Sequence, residues 1–333
     1  MAGRADVVER IAELVGEDVL RITSVDSGWP ALGELVLDGV VVPVAMFVGP
    51  VGLTHRDRDD VERRFQNPGS DRPIIEIPGR WLLLLGLWEH DELEPVARPL
   101  LVSADPLHRV GRTTRFSVFV SIAMLRTALG HGWAEGQNAA GESVRCFAPA
   151  LLPLSYEADR GGAAPPMPSM QAVIEGSGLL DADDDEVSIA ARRARRAGSA
   201  LVRDARFSRR VVDAYNGLCA MCGFDVGLVE GAHIYPVSAP GSRDEPWNGL
   251  ALCANHHLAF DKHMVGVDLE SSEILLHAAI RNQTSDNPAV RAFVEGTYSR
   301  LSEPVDRAAS PRGEMFRRRY DFYFDRYDWL LAS

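Results

Sequence analysis

The sequence predicts an α+β protein of two domains, a β-rich one followed by a small metal-stabilised one. Three observations predict it. The first half alternates short apolar, β-branched runs with turn signals; a Gly/Ala/Pro-rich stretch (161–169) and an acidic run (181–186) then interrupt the chain; three of the four cysteines crowd into 219–253. A length of 333 residues also suits two domains at roughly 150 residues each. The expected boundaries are a β-rich domain over 1–155, a linker over 156–186 and a metal-containing domain over 187–333.

Taken in order, Val7, Val8, Ile11, Ala12, Leu14 and Val15 recur at helical spacing and predict an amphipathic helix near 4–16. Residues 35–42 place Asp38-Gly39 between apolar runs, a strong hairpin signal. Further strands are expected at 74–77, 81–88, 96–102, 115–120 and 144–147, with a helix over 121–129. The sheet should be mainly antiparallel and could close in a barrel-like form. Downstream, an arginine-bearing helix begins near Glu186 and continues through Phe207, Val211 and Tyr215 to the first cysteine pair. Finally, 311–331 reads as one amphipathic helix with Phe316, Tyr320, Tyr323 or Phe324, Tyr327 and Leu331 on a stripe, suited to a core or a dimer interface.

Composition narrows the function. With 46% hydrophobic and 25% charged residues the chain has the makings of a globular core. No apolar run approaches the ~20 residues a membrane span needs, and Arg4, Asp6, Glu9 and Arg10 do not open a signal peptide. A cytoplasmic protein is expected. The net charge of −12 conceals a gradient: 188–212 alone carry eight arginines and one aspartate, so the positive field is local.

The sharpest signal is Cys219-Ala-Met-Cys222 followed by Cys253-Ala-Asn-His256. Two pairs at this spacing can meet as a tetrahedral site of three cysteines and a histidine, the chemistry of structural zinc. Zinc there would pin both ends of a motif with little core of its own. Between and after the pairs come Gly231-Ala-His233-Ile-Tyr-Pro236, then Asn248-Gly-Leu-Ala-Leu-Cys253, then His256-His257-Leu-Ala-Phe-Asp261. Histidines and an amide gathered in this way suit metal-assisted hydrolysis in general, where one group activates water, an ion stabilises developing charge and another group holds the base.

Residues 203–276 resemble the HNH family of ββα-metal nucleases, which share this order of C-x2-C, A-H-I-x-P, N-G-L-x-L-C and H-H-x-x-F-D. The resemblance implies that His233 is the general base, that Asn248 holds its imidazole, and that His257 binds a catalytic Mg²⁺ or Mn²⁺. Asp261 lies one helical turn beyond His257 and is either a further ligand or a brace. Many family members carry a ligand directly before the base, where this chain has Ala232; Glu230 or Asp261 is the expected substitute.

Double-stranded DNA is then the expected partner. Arg192, Arg193, Arg195, Arg196, Arg203, Arg206, Arg209 and Arg210 form either a solvated helix face or a phosphate-binding approach to the site. The domain order resembles McrA-like, type IV restriction endonucleases, in which a reader of modified DNA precedes the HNH domain. That resemblance implies a PUA-like, SRA-like or sulfur-binding reader for 5-methylcytosine, 5-hydroxymethylcytosine or a phosphorothioated backbone. Candidate contacts in the first domain are His55 and Arg56, the loop 63–69, and Arg109, Arg112 and Arg115, with Trp29, Trp81, Trp88 and Trp133 as pocket or core residues. Cutting both strands from one site per chain suggests a homodimer. The rivals are a nuclease indifferent to modification and a zinc-stabilised DNA-binding protein without catalysis.

Overall fold

The computed structural model describes residues 3–26, 28–37, 39–54, 58–69, 72–161, 165–183 and 186–330. It divides into two units, residues 1–160 with 164–201, and residues 202–333 with 161–163.

In the first unit, α1 (Arg4–Val15) buries Val7, Val8, Ile11, Ala12 and Val15, the stripe its periodicity announces. Each valine or isoleucine gains roughly 1.5–3 kcal/mol on leaving water. The strands are β1 (Leu20–Ser24), β2 (Ala31–Leu37), β3 (Val40–Pro50), β4 (Gly52–Leu53), β5 (Glu62–Gln66), β6 (Trp81–Trp88), β7 (Leu100–Ala104), β8 (Ser117–Ser121), β9 (Trp133–Gln137) and β10 (Ser143–Phe147). Leu37 pairs with Val40, so the hairpin turns where the Asp-Gly signal lies; Gly39 has φ +85°, and Asp38 is outside the described residues.

Seven strands hydrogen-bond in the open order β1-β2-β3-β6-β7-β10-β9, antiparallel except for the parallel pair β3 and β6. The strand-rich expectation is met without barrel closure. Between β3 and β6 the chain builds most of a second, three-stranded sheet, β4-β5-β8, which covers one face of the first. Phe65, Val118 and Val120 there share a core with Phe47, Trp88 and Val102. Gly86 makes this approach possible: a Cβ would lie 2.5 Å from Val51 Cγ2 and 2.6 Å from the Phe65 ring.

Two expectations differ here. Residues 74–77 form no strand, only a bridge from Ile74 to Val110; Pro73 and Pro78 flank the segment and limit its pairing. Residues 156–186, expected as linker, include the end of α3 (Leu152–Gly161) and all of α4 (Met167–Ser177). Met170 and Ile174 of α4 are buried, Ile174 against Gly132 at the end of α2 (Ile122–His131). The Pro and Gly content of the segment hides that apolar spacing. The arginine helix is α5 (Val187–Ala214), which begins in the first unit and ends in the second.

The second unit opens its motif with β11 (Val229–His233) and β12 (Gly249–Cys253), an antiparallel hairpin that sets His233 opposite Gly249, and then α6 (Ala254–Asp261). There follow β13 (Val265–Val267), β14 (Ile274–Leu276), α7 (Ala278–Arg281), α8 (Pro288–Gly296), α9 (Gly313–Phe322) and α10 (Phe324–Tyr327). Phe207 and Val211 of α5 join Met221, Ile234, Leu250, Leu252, Phe260 and Phe316 in one core. The single C-terminal helix expected over 311–331 breaks at Tyr323 (φ −115°, ψ 40°). The break turns Tyr327 back against Tyr320, centroids 4.7 Å apart, so most of the aromatic stripe is spent inside the unit. No helix among the described residues is long and apolar enough to cross a membrane.

Candidate active site and metal centre

Cys219, Cys222, Cys253 and His256 meet with one ligand atom each, all within 4.8 Å of one another. Cys253 Sγ lies 3.2 Å and Cys219 Sγ 3.7 Å from His256 Nδ1, and Cys222 Sγ lies 3.8 Å from Cys253 Sγ. Zn–S bonds of ~2.3 Å and Zn–N of ~2.1 Å in a tetrahedron put ligand atoms about 3.5–3.8 Å apart, so the donor set could hold zinc. The histidine tautomer agrees. Thr297 Oγ1 already donates to the Phe293 carbonyl (2.7 Å), so at 3.0 Å it accepts from His256 Nε2–H, leaving the Nδ1 lone pair toward the sulfurs. Burial pushes the His256 ring down to about 4 and raises the thiols of Cys219 and Cys222, the latter to about 12. An ion must therefore displace thiol protons but finds its imidazole neutral.

His233 ends β11. Its ring is mostly buried and stacks on Phe207 of α5, centroids 3.6 Å apart and planes 10° apart. Its Nε2 lies 3.0 Å from Asp244 Oδ1; no described residue hydrogen-bonds Nδ1. Asn248, expected to hold this imidazole, does something else. It is fully buried, and its amide donates to the carbonyls of Tyr235 (3.1 Å) and Arg243 (3.0 Å) while Oδ1 accepts from Tyr235 N–H (2.8 Å). Asn248 thus staples the ends of the loop from 234 to 248, and the ring itself is met by Asp244 from that loop. Sequence reasoning missed Asp244, whose one signal was its place as an acid between the His233 and Asn248 motifs.

On α6, His257 sits between two carboxylates. Glu230 Oε2 lies 3.2 Å from its Nδ1, and Asp261 Oδ2 lies 3.4 Å from its Nε2. Ala232 is buried and offers no ligand, so Glu230, which shares its face of β11, and Asp261 are the acids beside His257. The two carboxylates address opposite edges of one ring, so an ion here would take His257 with one of them.

A residue from beyond the motif joins the two halves. Arg319 of α9 is 2% exposed and donates to the Ile234 carbonyl (3.0 Å), the Phe260 carbonyl (2.8 Å) and, more weakly, the His233 carbonyl (3.4 Å). Its guanidinium also lies over the Phe260 ring at 3.9 Å. It therefore fixes the strand of His233 against the helix of His257.

The predicted DNA contacts separate into groups. Arg192, Arg193, Arg196, Arg203, Arg206 and Arg209 are exposed on α5. Arg195 is half-buried and donates to the Ala150 carbonyl at 3.0 Å. Arg210 grips the loop from 234 to 248 through Glu245 (2.9 Å) and the Asp244 carbonyl (3.3 Å). Arg109 is buried against Glu142 and Phe116, a structural pairing rather than a surface contact. Arg112 and Arg115 are exposed; His55 and Arg56 lie outside the described residues. Trp29, Trp88 and Trp133 are core residues.

Two arginines join Arg115 that linear spacing could not connect. Arg4 lies over Trp29 (5.8 Å) and donates to the Gln66 carbonyl (3.0 Å), and Trp29 donates to the Arg72 carbonyl (3.1 Å). Burial, then the positive charges of Arg115 and Arg72, lower the Arg4 pKa. Among the described residues none of the three meets a carboxylate. A cleft of about 750 Å³ also opens in this unit. It lies where β6 runs on as Trp81–Leu83 beyond its first pairing with β7, Leu84 with Ala104, and its walls include Trp81, Ser103, Asp105, Glu135 and Arg145.

Residues 219–268 match a family described as HNH endonuclease. The chain therefore carries an HNH endonuclease domain, a phosphodiester hydrolase. No curated protein matches significantly. Among solved structures, one titled "Modification dependent TagI restriction endonuclease" aligns at 14% identity with a TM-score of 0.30, over 84% of this chain and 81% of that one.

Proposed function

We propose that this protein is a metal-dependent endonuclease that cuts double-stranded DNA, with its first unit directing it to modified DNA. The observation that carries the nuclease half is His233: a mostly buried imidazole, stacked and hydrogen-bonded through Nε2, with Nδ1 left for a water. His257 with Asp261 or Glu230 would hold the Mg²⁺ or Mn²⁺ ion, which supplies positive charge for the phosphate and the leaving oxygen. As water attacks phosphorus and the P–O bond to the leaving oxygen breaks, His233 Nδ1 takes the water's proton. Asn248 and Arg319 hold the elements in place, and the Cys219, Cys222, Cys253 and His256 set would hold zinc as a structural pin.

Direction to modified DNA rests on the first unit, which has its own core, a trio of arginines that meets no carboxylate among the described residues, and a cleft with Trp81 in its wall, none of which hydrolysis needs. In this reading the exposed arginines of α5 and the trio hold phosphates without reading sequence. Type IV restriction is the activity that combines these parts, and two chains acting together would cut both strands.

The test is cleavage of matched plasmids carrying no modification, 5-methylcytosine, 5-hydroxymethylcytosine or backbone phosphorothioate, with Mg²⁺ or Mn²⁺ and with His233→Ala as control. The proposal expects cutting of one modified plasmid and none by the variant. Equal cutting of all four removes the directing role and leaves the nuclease. Cutting of none above the variant's level removes both and leaves a zinc-stabilised binding protein.

A further inference from the structure

We propose that Asp244 is the positioning residue for His233, so that the site works through a carboxylate–imidazole pair; this rests on reading His233 as the general base. A carboxylate can only accept a hydrogen bond, so at 3.0 Å from Nε2 it places the ring proton on that nitrogen. The lone pair then lies on Nδ1, the nitrogen that no described residue occupies, and the tautomer is the one a base requires. When Nδ1 takes a proton from water, the ring becomes positive beside the Asp244 carboxylate. The pair stabilises that charge as it develops, without reorganisation.

The geometry is preset rather than incidental. Asp244 sits 11 residues after His233 on a loop whose backbone is tied on both sides of it. Asn248 binds the Arg243 carbonyl (3.0 Å), and Arg210 binds the Asp244 carbonyl (3.3 Å) and the Glu245 carboxylate (2.9 Å). Phe207 closes one face of the ring, so the imidazole cannot swing away from the carboxylate on that side. The charged groups around the pair are Arg210, Glu245 and, at the His233 carbonyl, Arg319. Arg210 and Glu245 neutralise each other, which leaves Asp244 as the charge that addresses the ring.

The experiment is single-turnover nicking of a cleavable plasmid by full-length wild type, Asp244→Asn, Asp244→Glu, His233→Ala and the double variant Asp244→Asn with His233→Ala. Plasmid binding and thermal midpoints are measured alongside. A positioned general base contributes 10²–10⁴-fold, so Asp244→Asn should lose roughly 10²-fold in the chemical step with binding changed less than about twofold. Asp244→Glu should recover part of that rate. The double variant should be no slower than His233→Ala, because Asp244 acts only through the ring. A purely structural role would instead multiply the two losses and lower the thermal midpoint. Asp244→Asn within about threefold of wild type while His233→Ala is dead overturns the pair but keeps the base. Full activity in His233→Ala overturns the base itself.

Discussion

Replacing Gly231 by alanine tests how closely α5 must seat on the β11–β12 hairpin that carries His233. An added Cβ would lie 2.6 Å from Ser208 Cα, 2.8 Å from Ser208 O and 3.0 Å from Val211 Cβ. Two of those atoms are helix backbone, which cannot rotate aside. To restore ordinary contact near 3.5 Å, α5 must recede by roughly 1 Å. Overpacking of this kind costs roughly 1–3 kcal/mol. The Gly231 N–H donates to Ser208 Oγ at 2.7 Å, and stretching that bond by the same displacement forfeits about 1 kcal/mol more. The sum is roughly 2–4 kcal/mol, or a fall of roughly 10 °C in the thermal midpoint of the second unit. Phe207 precedes Ser208, so recession also opens the stack on His233 and slows cleavage in the surviving folded protein. Chemical denaturation followed by the second unit's fluorescence measures the loss, with Gly296→Ala as control because a Cβ there meets nothing within 4 Å. Equal stability of Gly231→Ala and that control would refute the reasoning.

Chelating the zinc that the cluster is proposed to hold, or substituting Cys222→Ser, should unfold much of the hairpin and α6, because the cluster joins the 219–222 turn to the start of α6; loss of second-unit circular dichroism on chelation, recovered on adding Zn²⁺, checks this. Metal retention should weaken as pH falls, since protons compete for thiols already raised by burial. Arg319→Met should cost roughly 3–5 kcal/mol, because buried carbonyls at Ile234 and Phe260 lose a charged donor; denaturation midpoints measure it, and a loss under 1 kcal/mol would contradict the clamp. In the first unit, burial raises the Asp91 carboxyl, but hydrogen bonds from Arg63, the Leu93 N–H and the Trp88 indole outweigh it and hold the group at about 2. A depressed acid contributes stability that is complete above its unfolded value and lost as pH falls from about 4 to about 2. Asp91→Asn should therefore lower stability at pH 7 and flatten the acid-side decline, and an unchanged decline would exclude Asp91 as its source.

The elements that periodicity announced, α1, the β2–β3 hairpin, β6 and α2, are local in cause: each carries its own stripe or turn within a dozen residues. β5 and β9 carry no apolar alternation of their own and are placed by pairing with β8 and β10, whereas β1 alternates over Leu20 and Ile22 only, too short a run to signal a strand. The α4 helix escaped because Pro and Gly outweighed the apolar spacing of Met170 and Ile174.

For the site, spacing alone determined which residues could share a metal, since two short pairs can meet in few ways, and the motif order singled out His233 and His257 as the proposed base and ion ligand. What each side chain touches was decided only by the tertiary structure. Asn248 became a loop staple and Asp244 the partner of the imidazole because the loop from 234 to 248 folds back on itself. Arg319 reached the strand of His233 across 86 residues, and Arg4, Arg72 and Arg115 met across more than a hundred. The physical reason is the same in each case: a charged or polar group takes its role from the partners that folding brings into reach, and those partners come from distant parts of the chain rather than from sequence neighbours.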